Sequence, residues 1–428
     1  MSSHGVRHKP PGHPSAINSS RFNKARRPFG DPVALLKATP RFIPPPFTNL
    51  QNLNLPLDVV LRNPEQMAGI ERAGRLIFHA VGDTGGIHGT QAQEAVAHAM
   101  EAQIQSAADP ADRPTFFYHL GDVIYFNGLS TLYDEQFYGP YKYYPAPIFA
   151  VPGNHDGDTA VRRGDQPDTE ATLTGFLTNF CDSQPQHLDT YRETMTQPYV
   201  YWTLETPFAT IVGLYSNVDG SLDGRGTNEQ MRWFQKQIAD APAEKCLIVA
   251  VHHPPYSLDS SHGGSPEILA AIDRAAQAPG RFPDAVFSGH VHNYQRFTRE
   301  VDGRQVPFVV AGAGGYANDP KSLHKLQLDE NGSKIPADRP FPTTREGVVL
   351  ETYNEDSPGF LRLTVDAQTL AAEYYTVPFD DAPPGVPVDS FRLNWKTHQL
   401  EGAGGPAASG VAGGHHPGGH HPKRKPGG

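Results

Sequence analysis

The chain has 428 residues and carries 36 Lys and Arg against 46 Asp and Glu, which gives a net charge of -10 and a pI near 6.0. Because nucleic-acid binding depends mainly on neutralising phosphates with Lys and Arg, this balance argues against a polynucleotide as the main partner. The 42 glycines and 41 prolines are well above average usage, so long loops are expected around a rigid framework.

Membrane and redox signals in the sequence are weak. No apolar run reaches the roughly 18 to 20 residues of a membrane-spanning helix, and the first residues are polar, so a cytoplasmic location without a signal peptide is expected. Cys181 and Cys246 are the two cysteines. Cys246 lies in an apolar run, which favours a buried thiol over a disulfide, so we predict two free thiols.

The ends of the chain differ in composition from its middle. Residues 1–70 are Pro-rich without a sustained hydrophobic period, and residues 401–428 are rich in Gly, Pro and His. We therefore expect a partly disordered N-terminal arm over 1–70, one catalytic domain over 71–400 and a disordered tail over 401–428. The paired histidines of the tail could capture a transition metal, but a segment without packing partners imposes no coordination geometry, so solvated sequence is the favoured interpretation.

Apolar runs alternate with amphipathic segments in the first half of the middle region. The run at 76–81 precedes a helical pattern in which apolar residues recur at four-residue spacing, namely Ala92, Val96, Met100 and Ile104. Runs at 115–120 and 147–151 follow. Each run is nearly continuous, which is typical of parallel strands buried on both faces.

The second half repeats this alternation. A run at 210–215 precedes a helix that the capping box Thr227-Asn228-Glu229-Gln230 is predicted to open, and a further helix is predicted to start with Ser265 as N-cap and Pro266 as first residue. Runs at 246–251 and 285–287 predict more buried strands. Late runs around 308–310, 348–350, 360–363 and 372–375 predict antiparallel strands of a second sheet, and the whole is an α/β sandwich.

Five short polar segments punctuate these runs, and four of them directly follow a predicted buried strand. In order they are Asp83-Thr84-Gly85, Gly121-Asp122-Val123-Ile124-Tyr125, Gly153-Asn154-His155-Asp156, Val249-Ala250-Val251-His252 and Gly289-His290-Val291-His292. Ligands at strand ends can converge on one edge. Each segment supplies oxygen or nitrogen ligands, so together they predict a hydrolase site with two metal ions.

Two cations roughly 3.5 to 4 Å apart can neutralise a phosphoester's anionic oxygens and create a hydroxide. Asp122 is a suitable bridge between them, and Gly121 would let the backbone turn close to the ions. His290 and His292 alternate along an extended segment, so they need a backbone bend to reach separate metals.

The set of motifs resembles the metallophosphoesterases, and within them the purple acid phosphatases, through the pattern DxG, GDxxY, GNH[DE], VxxH and GHxH. The resemblance covers roughly residues 78–297 and neither end of the chain. It implies an αββα sandwich of two mixed β-sheets flanked by helices. The sequence departs from the family at Thr84, at His253 beside His252, and at 293–296 after GHxH, but no departure removes a ligand.

The resemblance also implies a ligand set. It places on a ferric ion the residues Asp83, Asp122, Tyr125 and His292. It places on a divalent partner, Fe, Zn or Mn, the residues Asp122, Asn154, His252 and His290. A phenolate ligand at neutral pH needs a strongly polarising cation, which supports the ferric site; in a reducing compartment, two divalent ions are the alternative.

His155 and His262 are implied as the catalytic groups beside the phosphoryl oxygens and the leaving group. Other histidines, His79, His88, His98, His119 and His187, fit no motif and are interpreted as ordinary. The glycines at 312–315 lack the spacing of a dinucleotide-binding turn, so we expect them to let a loop approach the edge of the metal site.

The expected function is hydrolysis of phosphate monoesters by a metal-bound hydroxide, with a small phosphoester as partner. A phosphodiesterase with the same ligands, acting on nucleotides, cyclic nucleotides or phospholipids, is the alternative, and the loop over 156–197 should decide between them. A protein Ser/Thr phosphatase is disfavoured because that branch has an acidic residue and Arg-Gly where Tyr125-Phe126-Asn127 stands. A protein that merely holds iron would need neither His155 nor His262.

Overall fold

The computed structural model describes residues 29–33, 41–48, 52–86, 89–159, 170–188, 192–328, 332, 339–379 and 386–401. The predicted tail lies outside this part of the chain apart from Glu401, as does His88. Both cysteines are free thiols, as predicted. Among the described helices, none combines the length and the apolar character needed to cross a membrane.

Sixteen strands lie in the described part of the chain. They are β1 (Asn54–Pro56), β2 (Arg75–Val81), β3 (Phe117–His119), β4 (Ile148–Ala150), β5 (Trp202–Glu205), β6 (Ala209–Leu214), β7 (Cys246–Val251), β8 (Ala285–Ser288), β9 (Tyr294–Val301), β10 (Arg304–Ala311), β11 (Phe341–Pro342), β12 (Val348–Asn354), β13 (Gly359–Asp366), β14 (Thr369–Thr376), β15 (Asp389–Asn394) and β16 (Gln399–Glu401).

The α-helices lie mainly between the early strands. They are α1 (Leu57–Leu61), α2 (Pro64–Ala73), α3 (Gln91–Gln105), α4 (Asn154–Gly157), α5 (Thr174–Phe180), α6 (Glu229–Asp240) and α7 (Pro266–Gln277). The predicted face of α3 is buried as expected, and so are Met231, Phe234 and Ile238 on α6. These faces carry apolar residues at helical spacing, which is why the segments are helices that pack on a sheet.

Two mixed sheets form the sandwich, as the resemblance implied. One has the order β1-β5-β6-β7-β8-β10-β9-β12-β11, and the other has the order β16-β15-β14-β13-β2-β3-β4. Strands β2, β3 and β4 are parallel neighbours, and so are β6, β7, β8 and β10. The early runs therefore form buried parallel strands, as predicted from their continuous apolar character.

The core has a layer on each face of the nine-stranded sheet. On β7, Cys246, Ile248 and Ala250 belong to a large apolar cluster that also contains residues of β2, β3 and β13, so this layer lies between the sheets. The alternate residues Leu247 and Val249 belong to a second cluster, which includes apolar side chains of α6 and α7. This two-residue alternation is the reason a continuous apolar strand can be buried on both sides.

The prediction that the late strands make up a second sheet of their own is wrong. Strand β10 lies parallel to β8 in the nine-stranded sheet, and β12 joins that sheet through β9. Strand β13 instead pairs antiparallel with β2, so the seven-stranded sheet contains both early and late strands. Periodicity identifies a strand but not its neighbour, and β13 covers the edge that β2 would otherwise expose.

The two predicted helix starts have different outcomes. Ser265 caps α7 as predicted, because its side chain accepts the N–H of Ile268 at 3.2 Å. The capping box at Thr227 does not form. The carboxylate of Asp223 accepts the N–H groups of Gln230 and Met231 at 3.2 and 2.9 Å, so it satisfies the first turn of α6 in place of Thr227.

Parts of the predicted N-terminal arm pack on the sandwich. Strand β1 pairs in parallel with β5 at one edge of the nine-stranded sheet, and α1 and α2 follow it. Leu55, Leu57 and Ile70 contribute to the core between the sheets. The boundary at residue 71 remains a prediction.

His79 on β2 gives the fold a dependence on pH. Its ring nitrogens lie 3.0 Å from the Tyr144 hydroxyl and 3.1 Å from Oε1 of Gln103, and burial lowers its pKa from 6.5 to about 3. As pH falls below 6.5 the unfolded chain binds a proton that the folded chain does not, so folding loses about 1.4 kcal/mol per pH unit. The His79→Gln variant should lose less unfolding free energy than the wild type between about pH 7 and pH 5, by about 2 kcal/mol.

Urea denaturation at the two pH values measures this difference. The His98→Gln variant on the exposed face of α3 is the control for replacing a histidine. An equal loss of unfolding free energy in the His79 variant and the wild type would contradict the prediction.

Candidate metal centre

The five polar segments lie at the carboxyl ends of five strands drawn from both sheets. Asp83, Asp122 and Asn154 follow β2, β3 and β4 of the seven-stranded sheet, and His252 and His290 follow β7 and β8 of the nine-stranded sheet. Because the strands within each set are parallel, their carboxyl ends meet at one edge. The sandwich therefore gathers residues such as Asp83 and His290, which are 207 positions apart in the chain.

Three of these residues have a left-handed backbone. The φ angles are 59° at Asp83, 54° at Asp122 and 69° at His290. Residues other than glycine rarely adopt this region, and such strain concentrates at functional sites. At His290 it supplies the bend that the alternation of His290 and His292 required, because the two rings contact different groups.

One group of ligands surrounds the hydroxyl of Tyr125. This oxygen lies 3.0 Å from Oδ1 of Asp83, 3.0 Å from Oδ2 of Asp122 and 3.1 Å from Nε2 of His292. Nε2 of His292 is also 3.4 Å from Oδ1 of Asp83. The four side chains that the resemblance implied for a ferric ion thus meet in one buried place.

A second group surrounds the side-chain oxygen of Asn154. Its Oδ1 lies 2.9 Å from Nδ1 of His290 and 3.1 Å from Nε2 of His252, which is 3.2 Å from Oδ2 of Asp122. Asp122, His252 and His290 form a cluster that could hold a metal ion. Oδ2 of Asp122 belongs to both groups, whereas its Oδ1 accepts the backbone N–H of His155 at 2.9 Å.

The donor set of each group fits a cation. Nδ1 of His252 lies 2.9 Å from the Leu120 carbonyl, which can only accept, so Nδ1 carries the hydrogen. In the neutral ring Nε2 then presents a lone pair to the oxygens of Asn154 and Asp122. Ligands about 2.0 to 2.2 Å from one ion and at right angles to each other stand about 3 Å apart, which agrees with these separations.

The carboxylates and His252 interact strongly through their charges. Burial, helped by the charge of Asp122, raises the pKa of Asp83 to about 8. Burial opposes a charge on His252, but the adjacent Asp122 outweighs it and raises the pKa to about 9. Such a site favours positive charge, which protons supply when no metal is bound.

Tyr125 is not a phenolate by itself. Burial and the charges of Asp122 and Asp83 raise its pKa well above 10. The hydroxyl donates to the two carboxylates instead, so only a strongly polarising cation at its oxygen would remove its proton.

The two predicted catalytic histidines lie at the edge of the ligand groups. Nδ1 of His155 donates to the Phe126 carbonyl at 2.7 Å, and its ring centre is 4.5 Å from that of Tyr125. The ring of His262 is 5.2 Å from that of His290. The structure therefore brings His155 close to Tyr125 and His262 close to His290.

His252 and His253 have different surroundings. Nδ1 of His253 lies 2.8 Å from the Ser216 hydroxyl, and the His253 ring packs against His290 at 4.2 Å. The ring of His252, as described above, reaches Asn154 and Asp122. The VxxH motif, counted from Val249, also selected His252 rather than His253.

Asp156 is a residue whose importance the sequence analysis missed. Its buried carboxylate accepts backbone N–H groups from Gly153 at 2.8 Å and from Val123 and Ile124 at 3.1 Å. It thus ties the segment of Asp122 to that of Asn154. The sequence did contain one indication of this role, because Asp156 is the last residue of the GNH[DE] motif.

His119 links two other segments. Burial lowers its pKa to about 3, so the ring is neutral. Nδ1 accepts the N–H of Gly121 at 3.2 Å, so Nε2 carries the hydrogen and donates to the Thr84 hydroxyl at 2.8 Å. Thr84, the unusual residue of the DxG motif, is therefore hydrogen-bonded to His119. The apolar pattern of the strand gave no sign that His119 has this role.

Glycines are required where the backbone passes close to the carboxylate of Asp83. A Cβ at Gly312 would lie 2.7 Å from Oδ2 of Asp83, and one at Gly289 would lie 2.6 Å from the same oxygen. The loop over 312–315 therefore approaches the edge of the site, as expected. Of the remaining histidines, His79 is a core residue and His187 pairs with Glu193 at the surface.

The calcineurin-like phosphoesterase family model matches residues 78–294, which is half of the chain, and the chain belongs to this family. The family is one of phosphoesterases, which agrees with the class of protein that the five segments predicted. The matched range contains all five polar segments.

Similar proteins include phosphatases and a diesterase. The chain is 25% identical over 266 residues to tartrate-resistant acid phosphatase type 5 of Oryctolagus cuniculus, covering 59% of this chain and 77% of that protein. It is 26% identical over 146 residues to purple acid phosphatase 22 of Arabidopsis thaliana, with 32% of each covered. It is 24% identical over 182 residues to the probable glycerophosphodiester phosphodiesterase of Arcobacter nitrofigilis, covering 42% of this chain and 57% of that protein.

A solved structure of a purple acid phosphatase from yellow lupin, Lupinus luteus, shares the fold. The TM-score is 0.53 at 18% identity, covering 79% of this chain and 57% of that one. The chain therefore spans little more than half of this structure and of the diesterase relative. The comparisons confirm a purple acid phosphatase-like member of the metallophosphoesterases.

Replacing Gly289 by Ala should weaken metal binding. The added Cβ would collide with Oδ2 of Asp83 and displace that carboxylate, so metal affinity should fall by roughly tenfold or more. The measurement is a competition titration of the folded protein against a metal chelator.

The matched control is Gly69→Ala, where a Cβ on α2 meets nothing within 4 Å. This variant should bind metal like the wild type and be slightly more stable, because alanine favours the helix. If the Gly289 variant also kept full affinity, the close approach to Asp83 would not matter for the centre.

Proposed function

We propose that the protein hydrolyses phosphate monoesters at a centre of two metal ions. The observation that carries the proposal is the pair of ligand groups joined by one oxygen, Oδ2 of Asp122. Two ions that share a carboxylate oxygen can act together on one phosphoryl group.

We assign each ion its own ligands. A ferric ion would be held by Asp83, Asp122, Tyr125 and His292. A divalent ion, Fe, Zn or Mn, would be held by Asp122, Asn154, His252 and His290. When bound, the pair neutralises the phosphoryl oxygens and supplies the nucleophile from water at neutral pH.

Tyr125 supports the trivalent ion. Its hydroxyl lies 3.0 Å from two carboxylates that oppose its ionisation, so a phenolate there requires a cation of high charge. In a reducing compartment the alternative is two divalent ions. Tyr125 would then keep its proton and its hydrogen bonds to Asp83 and Asp122.

The two histidines at the edge act on the substrate. Because Nδ1 of His155 donates to the Phe126 carbonyl, Nε2 is the atom available to a phosphoryl oxygen. His262, whose ring lies 5.2 Å from that of His290, would give a proton to the leaving oxygen as its bond to phosphorus breaks. Such groups contribute roughly 10² to 10⁴ in rate.

A phosphodiesterase is the second candidate, because one relative is named a glycerophosphodiester phosphodiesterase. The same ligand groups would serve either reaction. The segment 156–197 was expected to decide, but residues 160–169 and 189–191 lie outside the described chain. A direct comparison of substrates is therefore the decisive experiment.

We also infer one catalytic domain over 71–400, with 1–70 as an arm and 401–428 as a tail. Within the proposed arm, β1 pairs with β5 at the edge of the nine-stranded sheet, and Leu57 and Ile70 reach the core. A small phosphoester remains the proposed partner, and the cytoplasm the proposed location.

The wild type should prefer a nitrophenyl phosphate monoester over the corresponding diester by roughly tenfold or more in kcat/KM. The reason is that the proposed centre leaves positive charge for the dianionic group of a monoester. Iron-loaded protein should be assayed on both substrates side by side across pH.

The Asp122→Asn variant controls for contaminating activity, since loss of the bridging carboxylate should abolish turnover of both substrates. A diester preference in the wild type would replace the monoesterase by a phosphodiesterase. Activity that survives in the variant would remove Asp122 from the mechanism.

Iron-loaded, oxidised protein should show a visible absorption band from iron bound to the phenolate of Tyr125. The Tyr125→Phe variant should lose this band while keeping its fold, because phenylalanine preserves the ring but not the oxygen. Absorption spectra and metal content measured on the same samples test this. If the wild type contains oxidised iron but shows no band, the assignment of Tyr125 as a ferric ligand is wrong.

A further inference from the structure

We propose that Asp259 and His324, which lie outside all five motifs, are positioning residues that hold His262 in place to protonate the leaving group. The inference rests on the proposed function, because it concerns how the same site delivers its proton. It would make the rate with poor leaving groups depend on two residues that do not touch the substrate.

Asp259 holds both the backbone and the ring of His262. Its Oδ1 accepts the N–H of Ser261 at 2.8 Å and the N–H of His262, and it lies 3.4 Å from Nδ1 of the His262 ring. Burial opposes a charge on Asp259, but the nearby His262 and His324 together outweigh burial and lower its pKa. Because Nδ1 faces this carboxylate, we assign the transfer of the proton to Nε2.

His324 fixes the distance between His262 and the proposed metal ligand His292. Its ring stacks on His262 at 4.3 Å and 11° and on His292 at 4.1 Å and 14°. The backbone N–H of His324 donates to the His292 carbonyl at 3.1 Å, and its Nδ1 accepts the His292 N–H at 3.1 Å. The middle ring is thus held to the ligand on one side and supports His262 on the other.

The segments that carry these residues are joined to each other. The N–H of Ser260 donates to the Lys325 carbonyl at 2.8 Å, and that of Gln327 to the Leu258 carbonyl at 3.0 Å. Asp259 and Leu326 also pair through an isolated antiparallel β-bridge of the backbone. His262 and His324 therefore lie on neighbouring, hydrogen-bonded backbones, which holds their stacked rings together.

A third metal site is the competing interpretation of this cluster, because Asp259, His262 and His324 offer ligand atoms within 4.8 Å of one another. The stacking argues against it. Imidazole nitrogens direct their lone pairs in the plane of the ring, and two nearly parallel rings 4.3 Å apart cannot both aim at one ion. The arrangement suits orientation of a ring rather than coordination.

The proton balance assigns His262 a definite step. The bond between phosphorus and the leaving oxygen breaks, its electron pair stays on that oxygen, and Nε2 of His262 supplies the proton. The water that adds to phosphorus gives up a proton, which restores His262 before the next turnover. The products are an alcohol and inorganic phosphate.

The experiment compares leaving groups. The Asp259→Asn and His324→Ala holoenzymes should lose about tenfold or more in kcat on an alkyl phosphate, whose oxygen must be protonated, but less than about threefold on nitrophenyl phosphate. His324→Phe keeps a flat ring and should retain most of the rate. Adding Asp259→Asn to His262→Ala should cause no further loss, because the two residues act through one ring.

Asp284→Asn is the matched control for loss of a buried carboxylate. Asp284 accepts the N–H of Leu247 at 2.8 Å and pairs with His398 at 3.2 Å, but it lies at the opposite end of β8 from the ligands. This variant should show no dependence on the leaving group. Metal content is measured for every variant.

Equal losses on both substrates with normal metal content, or independent effects in the double variant, would overturn the proposal. Failure of the proposed function is a separate result, because it would appear in the wild type as a preference for diesters. In that case diesters with good and poor leaving groups provide the same comparison of the variants. Crystal structures of the Asp259 and His324 variants provide a test without turnover. The ring of His262 should turn away from His290, and an unchanged ring would contradict the inference.

Discussion

The shared oxygen of Asp122 is the contact on which the rest of the site depends. Oδ2 lies 3.0 Å from the Tyr125 hydroxyl on one side and 3.2 Å from Nε2 of His252 on the other, while Oδ1 is occupied by the backbone of His155. Burying a carboxylate costs several kcal/mol unless its charge is balanced. Here the balance comes from His252 and, in the proposed holoenzyme, from two cations, so the fold and the metal centre support one another.

The backbone is shaped to let these charges approach. Asp83, Asp122 and His290 adopt left-handed conformations, and glycines lie where a side chain would collide with the ligands. A Cβ at Gly121 would lie 2.5 Å from Nδ1 of His252, and one at Gly153 would collide with Asp122. The strain is maintained by the rigid sheet edges from which the loops start.

Residues behind the ligands hold the loops together without reaching the substrate. Asp156 joins the segments of Asp122 and Asn154, and the pair of His119 and Thr84 joins those of Asp122 and Asp83. Leu120 fixes the tautomer of His252 through its carbonyl. Each of these contacts orients a proposed ligand, which is the usual role of groups just outside a metal's coordination sphere.

The sequence by itself determined the buried strands that precede the five segments and the order of the candidate ligands, because continuous apolar runs and short motifs are local patterns. Tertiary structure decided which strands become neighbours: β13 joins β2, and β10 joins β8, since edge pairing depends on packing across the whole sandwich. It likewise decided that Asp223 caps α6, that Asp156 ties two loops, and that His324 stacks between His262 and His292. These contacts join residues that are distant in the chain or lie outside any periodic pattern, so only the assembled fold brings them together.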